Sequence, residues 1–448
     1  MCCVEVGKVS SKYWAPEIET LPRDELEALQ LRLLRHTVHS AYHNSAYYGR
    51  VMRSAGFDPD SIRTLRDIRK LPFVNKKFER ERQEQCPPFG DHIAVPNDRI
   101  VRIHASSGTT GVPTASVFTH NDIEAWKESM ARQFWGVGMR AGDIYHHALN
   151  MSLFVGGLCL LGAERLGAAA IPAGVMDTNR HLMVIKAYRP RFIWGTPSFM
   201  LHLSEKAREA GMDPARLSIR KVIVAGEPGG SIPSTKRKIE EAWSADCYDY
   251  YGIADIWAPC ATECEEKAGL HVLEDYVLPE VIDPETGEQV GEGEKGELVL
   301  TTLKREGQIM LRFRTGDETS YEAERCACGR THLRLKGITG RTDDMVIAKG
   351  VKFYPSQVEE VLRKIPELAN EYQIVVSRGE DYMDGVAVKT EACCGDVEDI
   401  RRRLELELKS VVGIRFDVEV LPLGTLPRTM HKARRVLDLR RGQIACPA

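Results

Sequence analysis

Two groups of residues in this 448-residue sequence have the types and spacing to do chemistry. The first is the run His104-Ala105-Ser106-Ser107-Gly108-Thr109-Thr110-Gly111-Val112-Pro113-Thr114. Gly108 and Gly111 let a backbone turn tightly and aim N–H groups at an anion, and the Ser and Thr hydroxyls add donors, a set that suits a polyphosphate. No Gly-Lys-Ser/Thr follows at Walker A spacing, so this is not that loop. Read alone, a Ser/Thr/Gly run is more often a flexible surface loop. The second group is Cys326-Ala327-Cys328-Gly329 together with Cys264 and His271. Neither pair has the common C-x2-C spacing. Together they offer three soft thiolates and an imidazole, a donor set for a closed, structural zinc site. Cys260 is a rival ligand, and reduced, partly buried cysteines are the plain alternative.

The elements that must position these residues follow from periodicity. Leu26, Leu29, Leu33 and Leu34 recur at helical steps in the stretch from Leu21 to about Gly56. Short β-like runs (Arg191–Trp194, Lys221–Ala225, Glu297–Leu300) alternate with helical ones (Asn121–Phe134, Ser198–Ala210). That alternation predicts an α/β core with substantially parallel sheet. The last hundred or so residues read as a small α+β unit: helices at Ser356–Ile365 and Val397–Val411, strands at Glu371–Ser377, Met383–Thr390 and Phe416–Leu421. The junction falls near the polar Gly340-Arg341-Thr342-Asp343-Asp344, which has turn chemistry. The expected domains are therefore 1–342 and 343–448.

Composition bounds the function. With 43% apolar and 28% charged residues the chain is an ordinary globular protein. Lys and Arg number 61 against 64 Asp and Glu, a net charge of −3, which argues against a broad footprint for nucleic acid or anionic membrane. No apolar run reaches the roughly 20 residues of a membrane span, and the start lacks the pattern of a signal peptide. A cytoplasmic location is expected. Twelve cysteines are too few for a disulfide-stapled scaffold, and Cys2–Cys3 and Cys393–Cys394 carry no assigned role.

Read with its neighbours, Ser106–Gly111 resembles the phosphate loop of the acyl-adenylate-forming superfamily. Family-like segments follow in order: Ala225-Gly226-Glu227-Pro228, Asp249-Tyr250-Tyr251-Gly252-Ile253-Ala254-Asp255, Arg314-Thr315-Gly316-Asp317, Gly340–Asp344, and Gly424-Thr425-Leu426-Pro427-Arg428-Thr429-Met430-His431-Lys432. Tyr13-Trp14-Ala15-Pro16-Glu17, Leu71-Pro72-Phe73 before Lys76, and Gly350–Gln357 are similar to the phenylacetate-CoA ligase branch. The resemblance implies a large N-terminal adenylate-forming domain with α/β sheets and a small, mobile α+β C-terminal domain. It implies an ATP-dependent aryl or arylalkyl carboxylate:CoA ligase, using Mg²⁺ and taking a small aromatic acid and coenzyme A.

Carried over residue by residue, the resemblance implies that Lys432 bridges the substrate carboxylate and the α-phosphate. Asp317 accepts the ribose hydroxyls and Arg341 contacts the ribose and phosphates. Ser106, Ser107, Gly108, Thr109, Thr110 and Gly111 hold phosphate; Gly226 and Glu227 form part of the adenine wall, with Asp249 and Tyr251 beside the nucleotide. Asp255 stands where the family usually has a Mg²⁺-binding glutamate, one methylene shorter. Asp343 matches the hinge. Tyr145–Gly157, including Tyr145, His147, Phe154 and Gly156, corresponds to the acyl pocket, and its mix of aromatic, aliphatic and Gly positions suits a flat apolar acid. Some relatives in the branch carry zinc at positions matching Cys264, His271, Cys326 and Cys328. Rival readings are an adenylating enzyme serving a carrier-protein thiol or an amine, and a non-catalytic nucleotide sensor, against which Lys432 weighs. A homodimer is left open.

Overall fold

The computed structural model describes residues 11–106, 113–153, 155–341, 345–348, 351–378, 384–428 and 435–441. The N-terminal periodicity becomes the helix Arg23–Asn44, followed by Ala46–Ser54. Leu26, Gln30, Leu34, Thr37, Val38 and Ala41 form its buried stripe. The two polar members of that stripe are satisfied: Gln30 Nε2 donates to the Glu274 carbonyl at 3.0 Å and the Thr37 hydroxyl to the Leu303 carbonyl at 3.1 Å.

Among the described residues, the largest sheet has nine strands. Five are parallel neighbours, in spatial order Ala169–Pro172, Ile144–His147, Phe192–Gly195, Lys221–Val224 and Asp246–Ile253. The helices Cys159–Leu166, Thr178–Tyr188, Pro197–Glu209 and Pro233–Trp243 lie between them in sequence, as crossovers require. These five strands meet the expectation of substantially parallel sheet. Asp246–Ile253 turns back within a few residues into Trp257–Thr262, and the sheet continues antiparallel through Leu270–Val272, Arg334–Leu335 and Tyr321–Glu322. A link that short leaves no room for a crossover helix, so the pair must be antiparallel. The helix His120–Gly136 starts on a Thr119–Asp122 capping box and buries Trp126, Met130 and Phe134 in the core of the sheet.

A second sheet is built from Val277–Ile282, Gly296–Thr302, Phe313–Thr319, Val74–Asn75 and Gly340–Arg341, antiparallel except where Val74–Asn75 joins Phe313–Thr319. The small C-terminal domain is a four-stranded sheet (Asp417–Pro422, Asp384–Ala392, Leu368–Arg378, Val436–Asp438) with helices Pro355–Lys364 and Val397–Val412. Its own core joins Val358, Leu362, Ile374, Val388, Leu404, Leu408 and Phe416. This matches the expected helices and strands to within a few residues at each end.

The two domains meet along the helix Pro233–Trp243. Ser234 Oγ donates to Glu360 at 2.8 Å, Thr235 Oγ1 to Glu359 at 3.0 Å, and Lys238 Nζ to the Leu368 carbonyl at 3.3 Å. Burial pulls Lys238 down to about 8. No helix among the described residues is long and apolar enough to cross a membrane.

Candidate active site

Asp317 is the point where the sequence-predicted residues converge. It lies on Phe313–Thr319, directly opposite Arg341 in the antiparallel register. Arg341 Nη1 donates to Asp317 Oδ1 at 2.5 Å, and the Tyr251 hydroxyl donates to Oδ2 at 2.6 Å. Burial, and then the Asp317 carboxylate, push the Tyr251 phenol well above its ordinary value, so it stays a donor. Gly316 has φ +75°, a left-handed backbone that a side chain would strain; its N–H donates to Glu297 at 3.1 Å.

Asp249 lies within the strand Asp246–Ile253 of the large sheet. It accepts from the Ser231 hydroxyl at 2.5 Å and from the Tyr250 N–H at 3.0 Å. Burial raises its carboxyl to about 6. A Cβ at Gly230 would fall 2.1 Å from Asp249 Oδ1, so the close approach of this loop requires glycine. Gly226 turns the chain beside it, and Glu227 Oε1 accepts from the Ser198 N–H at 2.7 Å, capping the helix Pro197–Glu209.

Asp255 is buried and accepts from Lys76 Nζ at 2.6 Å; the same ammonium donates to Glu79 at 2.8 Å. Burial, then the nearby Asp255 charge, hold Glu79 above the usual carboxylate range. Arg305 clamps this turn from behind, donating to the carbonyls of Asp255 at 2.8 Å and Ile256 at 2.7 Å and to Ser116 Oγ at 2.7 Å. Lys76, Glu79 and Arg305 were not singled out as site residues. Lys76 lies 179 residues from Asp255, and no local pattern announces a contact that only the fold makes.

The strands Arg102–Ala105 and Ala115–Phe118 form an antiparallel hairpin whose connection is the Ser/Thr/Gly run. Ser106 N–H donates to the Thr114 carbonyl at 3.1 Å, closing its base. Ser107, Gly108, Thr109, Thr110 and Gly111 lie outside the described residues, as do Phe154, Asp343 and Lys432. In the expected acyl-pocket segment Tyr145 and His147 share one face of their strand, with the phenol oxygen 2.5 Å from His147 Nδ1. Both are fully buried, and burial pulls His147 down to about 3. Gly156 sits on the short turn Val155–Leu158, where a Cβ would press on the Asn150 carbonyl at 3.1 Å.

The cysteine pairs do meet. The ligand atoms of Cys264, His271, Cys326 and Cys328 all lie within 4.8 Å of one another, and all four residues are buried. Cys328 Sγ is 3.5 Å from His271 Nε2 and accepts from the Arg330 N–H at 3.5 Å. Interaction with Cys264 and His271 holds the Cys328 thiol far below its ordinary range, while Cys264 moves up in response. Cys260 is no part of the cluster: it lies within Trp257–Thr262 and packs into the aromatic core.

Comparison with known proteins agrees with this architecture. Residues 53–304 match the model of the AMP-binding enzyme family, and residues 350–440 that of the AMP-binding enzyme C-terminal domain. The chain belongs to the AMP-binding enzyme family. Over nearly its whole length it is similar to phenylacetate-coenzyme A ligases. It is 40% identical to that of Thermus thermophilus, covering 96% of this chain and all of the relative, and 38% identical to that of Escherichia coli, covering 94% and 97%. The crystal structure of a 2-hydroxyisobutyryl-CoA ligase in the postadenylation state superposes with a TM-score of 0.92 at 34% identity, covering 97% of this chain and 94% of that one. The same ligase with CoA in the thioesterification state scores 0.73. The arrangement described here is thus closer to the first of these two states.

Proposed function

We propose that this chain is an AMP-forming ligase that activates an aromatic or arylalkyl carboxylic acid as its acyl-adenylate and passes it to coenzyme A. The observation that carries the proposal is the convergence of Tyr251 and Arg341 on Asp317, in a chain that aligns end to end with phenylacetate-coenzyme A ligases. A buried carboxylate oriented by Tyr251 and Arg341 is the type of acceptor that suits a vicinal diol, the recognition element of a ribose. Asp249, Gly226 and Glu227 are assigned to the adenine wall on the strength of the family resemblance. Lys432 is the cation for the charge that develops as carboxylate attacks the α-phosphate.

Asp255 supports only a coarse Mg²⁺ role. Its carboxylate already holds Lys76, so a cation bound directly would compete with the ammonium, whereas a water-bridged one would not.

The exchange of labelled pyrophosphate into ATP, run over a panel of aromatic acids, tests this reading. Phenylacetate or a substituted benzoate should stimulate exchange, and adding CoA should yield a thioester with AMP. ADP and phosphate as products would end the adenylation reading. Exchange without any response to CoA would turn it toward a carrier-protein or amine acceptor.

The donor set of the Cys/His cluster fits a structural metal: three thiols and an imidazole, buried and mutually within ligand-sharing distance. We propose that Cys264, His271, Cys326 and Cys328 hold Zn²⁺ that staples Leu270–Val272 to the turn after Tyr321–Glu322. Protein purified without added zinc should contain about one equivalent per chain. Cys328→Ser should lose the metal and lower the melting temperature by on the order of 5 °C. A metal-free wild type with unchanged melting would dismiss the site.

A further inference from the structure

The strands Ile144–His147 and Phe192–Gly195 are parallel neighbours, and such sheets bind ligands beyond the carboxyl ends of their strands. At that end His147 faces Trp194 directly in register. The two rings stand nearly perpendicular with centroids 6.2 Å apart, and Trp194 packs edge-on against Tyr250 at 4.4 Å. Both side chains are sealed from solvent, His147 at 0% and Trp194 at 1% exposure. Yet His147 Nε2 and Trp194 Nε1 have no hydrogen-bond partner among the described residues. Each such orphaned group destabilises the fold if nothing ever pairs with it. Tyr250, their neighbour on the same face, is satisfied: its hydroxyl donates to the Ala258 carbonyl at 2.8 Å.

The chemistry of the two groups is defined. Trp194 can only donate. Among the described residues the buried Tyr145 hydroxyl reaches one side-chain acceptor, His147 Nδ1. The phenol must donate there or strand its own proton, which leaves the hydrogen of the neutral imidazole on Nε2. Two N–H donors therefore lie on adjoining rings, in register on neighbouring strands, with no acceptor for either among the described residues.

We propose that His147 and Trp194 form a subsite that reads a neutral hydrogen-bond acceptor on the ring of the acid, so that the enzyme prefers oxygen-substituted aromatic acids to unsubstituted or alkyl-substituted ones. The inference rests on the reading of Tyr145–Gly157 as the acyl pocket. A hydroxyl, methoxy or carbonyl oxygen would pair both donors. An alkyl group would leave them buried and unpaired, and sites built to bond a polar group reject analogues lacking it strongly. Tyr145 is a positioning residue: it fixes which imidazole nitrogen carries the proton.

The experiment compares kcat/KM for pyrophosphate exchange between matched acids, such as hydroxy- and methylphenylacetates, position by position around the ring. At one ring position the hydroxy or methoxy acid should exceed its methyl counterpart by about tenfold or more in the wild type. Trp194→Phe keeps an aromatic ring but removes the donor, and should shrink that ratio by about tenfold. A methyl acid equal to or better than its oxygen counterpart at every position overturns the subsite, and needs no variant to show it. A ratio unchanged in folded Trp194→Phe, as expected if the two nitrogens merely hold a water, overturns it too. Exchange without this preference would fail the subsite alone, whereas no exchange with any acid would fail the ligase reading with it.

Discussion

Lys432→Ala is expected to slow acid-dependent pyrophosphate exchange by about 10²–10³-fold, the scale of removing one preorganised charge-stabilising group. Thioester formation from supplied acyl-adenylate should fall far less, because no charge builds on the α-phosphate in that half. The proposal that Lys432 serves only the first half draws on how its loop is rooted. Glu391 is fully buried beside Leu426 and Arg428. It accepts the Leu426 N–H at 2.5 Å and Arg428 Nη2 at 2.7 Å. The side-chain hydrogen bond to Arg428 and the backbone donors of the loop help keep the Glu391 carboxyl below its usual range against the cost of burial. Leu426 and Arg428, shortly before the lysine in sequence, are thus held in place, and catalysis by positioning needs a fixed mount. The measurement is paired single turnovers, one from ATP plus acid and one from acyl-adenylate plus CoA. Equal losses in both would refute the division of labour.

Elements were legible where one physical rule decided them. Leucine periodicity marked the stretch from Leu21 to about Gly56, and short β-like runs marked Lys221–Ala225 and Glu297–Leu300, where the structure has the helix Arg23–Asn44 and the strands Lys221–Val224 and Gly296–Thr302. The sheet's change of direction after Ile253 was not legible, because it depends on the absence of a crossover helix rather than on a residue pattern. The site was legible mainly through ordered motif resemblance. Asp317 and Arg341 are 24 residues apart, and only the pairing of Gly340–Arg341 with Phe313–Thr319 sets them face to face. The cysteine cluster was legible as two half-sites, and the choice between Cys260 and Cys264 turned on geometry. Cys260 is inside a strand whose residues are all buried in the core, whereas Cys264 follows the end of that strand, at a turn free to face Cys326. The contacts of Lys76 with Asp255 and of Arg305 with the Asp255 turn span 179 and 50 residues, and sequence alone offers no period or motif to find them.

Asp343→Pro should leave adenylation within a few-fold of wild type and lower thioester formation by about a hundredfold or more, the scale on which misplaced reacting groups lose rate. The proposal is that Asp343 is the pivot on which the C-terminal domain turns between the two half-reactions. The contacts described here fit a domain held by a small polar seam rather than a shared core. Ser234 with Glu360 and Thr235 with Glu359 bridge the domains, while each side keeps a separate apolar cluster. Polar contacts of this kind exchange for water at modest net cost, about 0.5–1.5 kcal/mol each, so rotation is energetically open. What must then change is a few backbone torsions near Arg341, since that residue is paired to Asp317 on the large domain. Proline fixes φ near −65° and removes an N–H, freezing the torsions a pivot needs. Because the arrangement described here resembles the postadenylation state of a related ligase more than its thioesterification state, a chain frozen in it should complete the first half and stall before the second. Two undiminished single-turnover rates in a folded Asp343→Pro variant would place the pivot elsewhere. Loss of adenylation with retained thioester formation would mean that proline had trapped the opposite arrangement, reversing the assignment of which conformation Asp343 must leave.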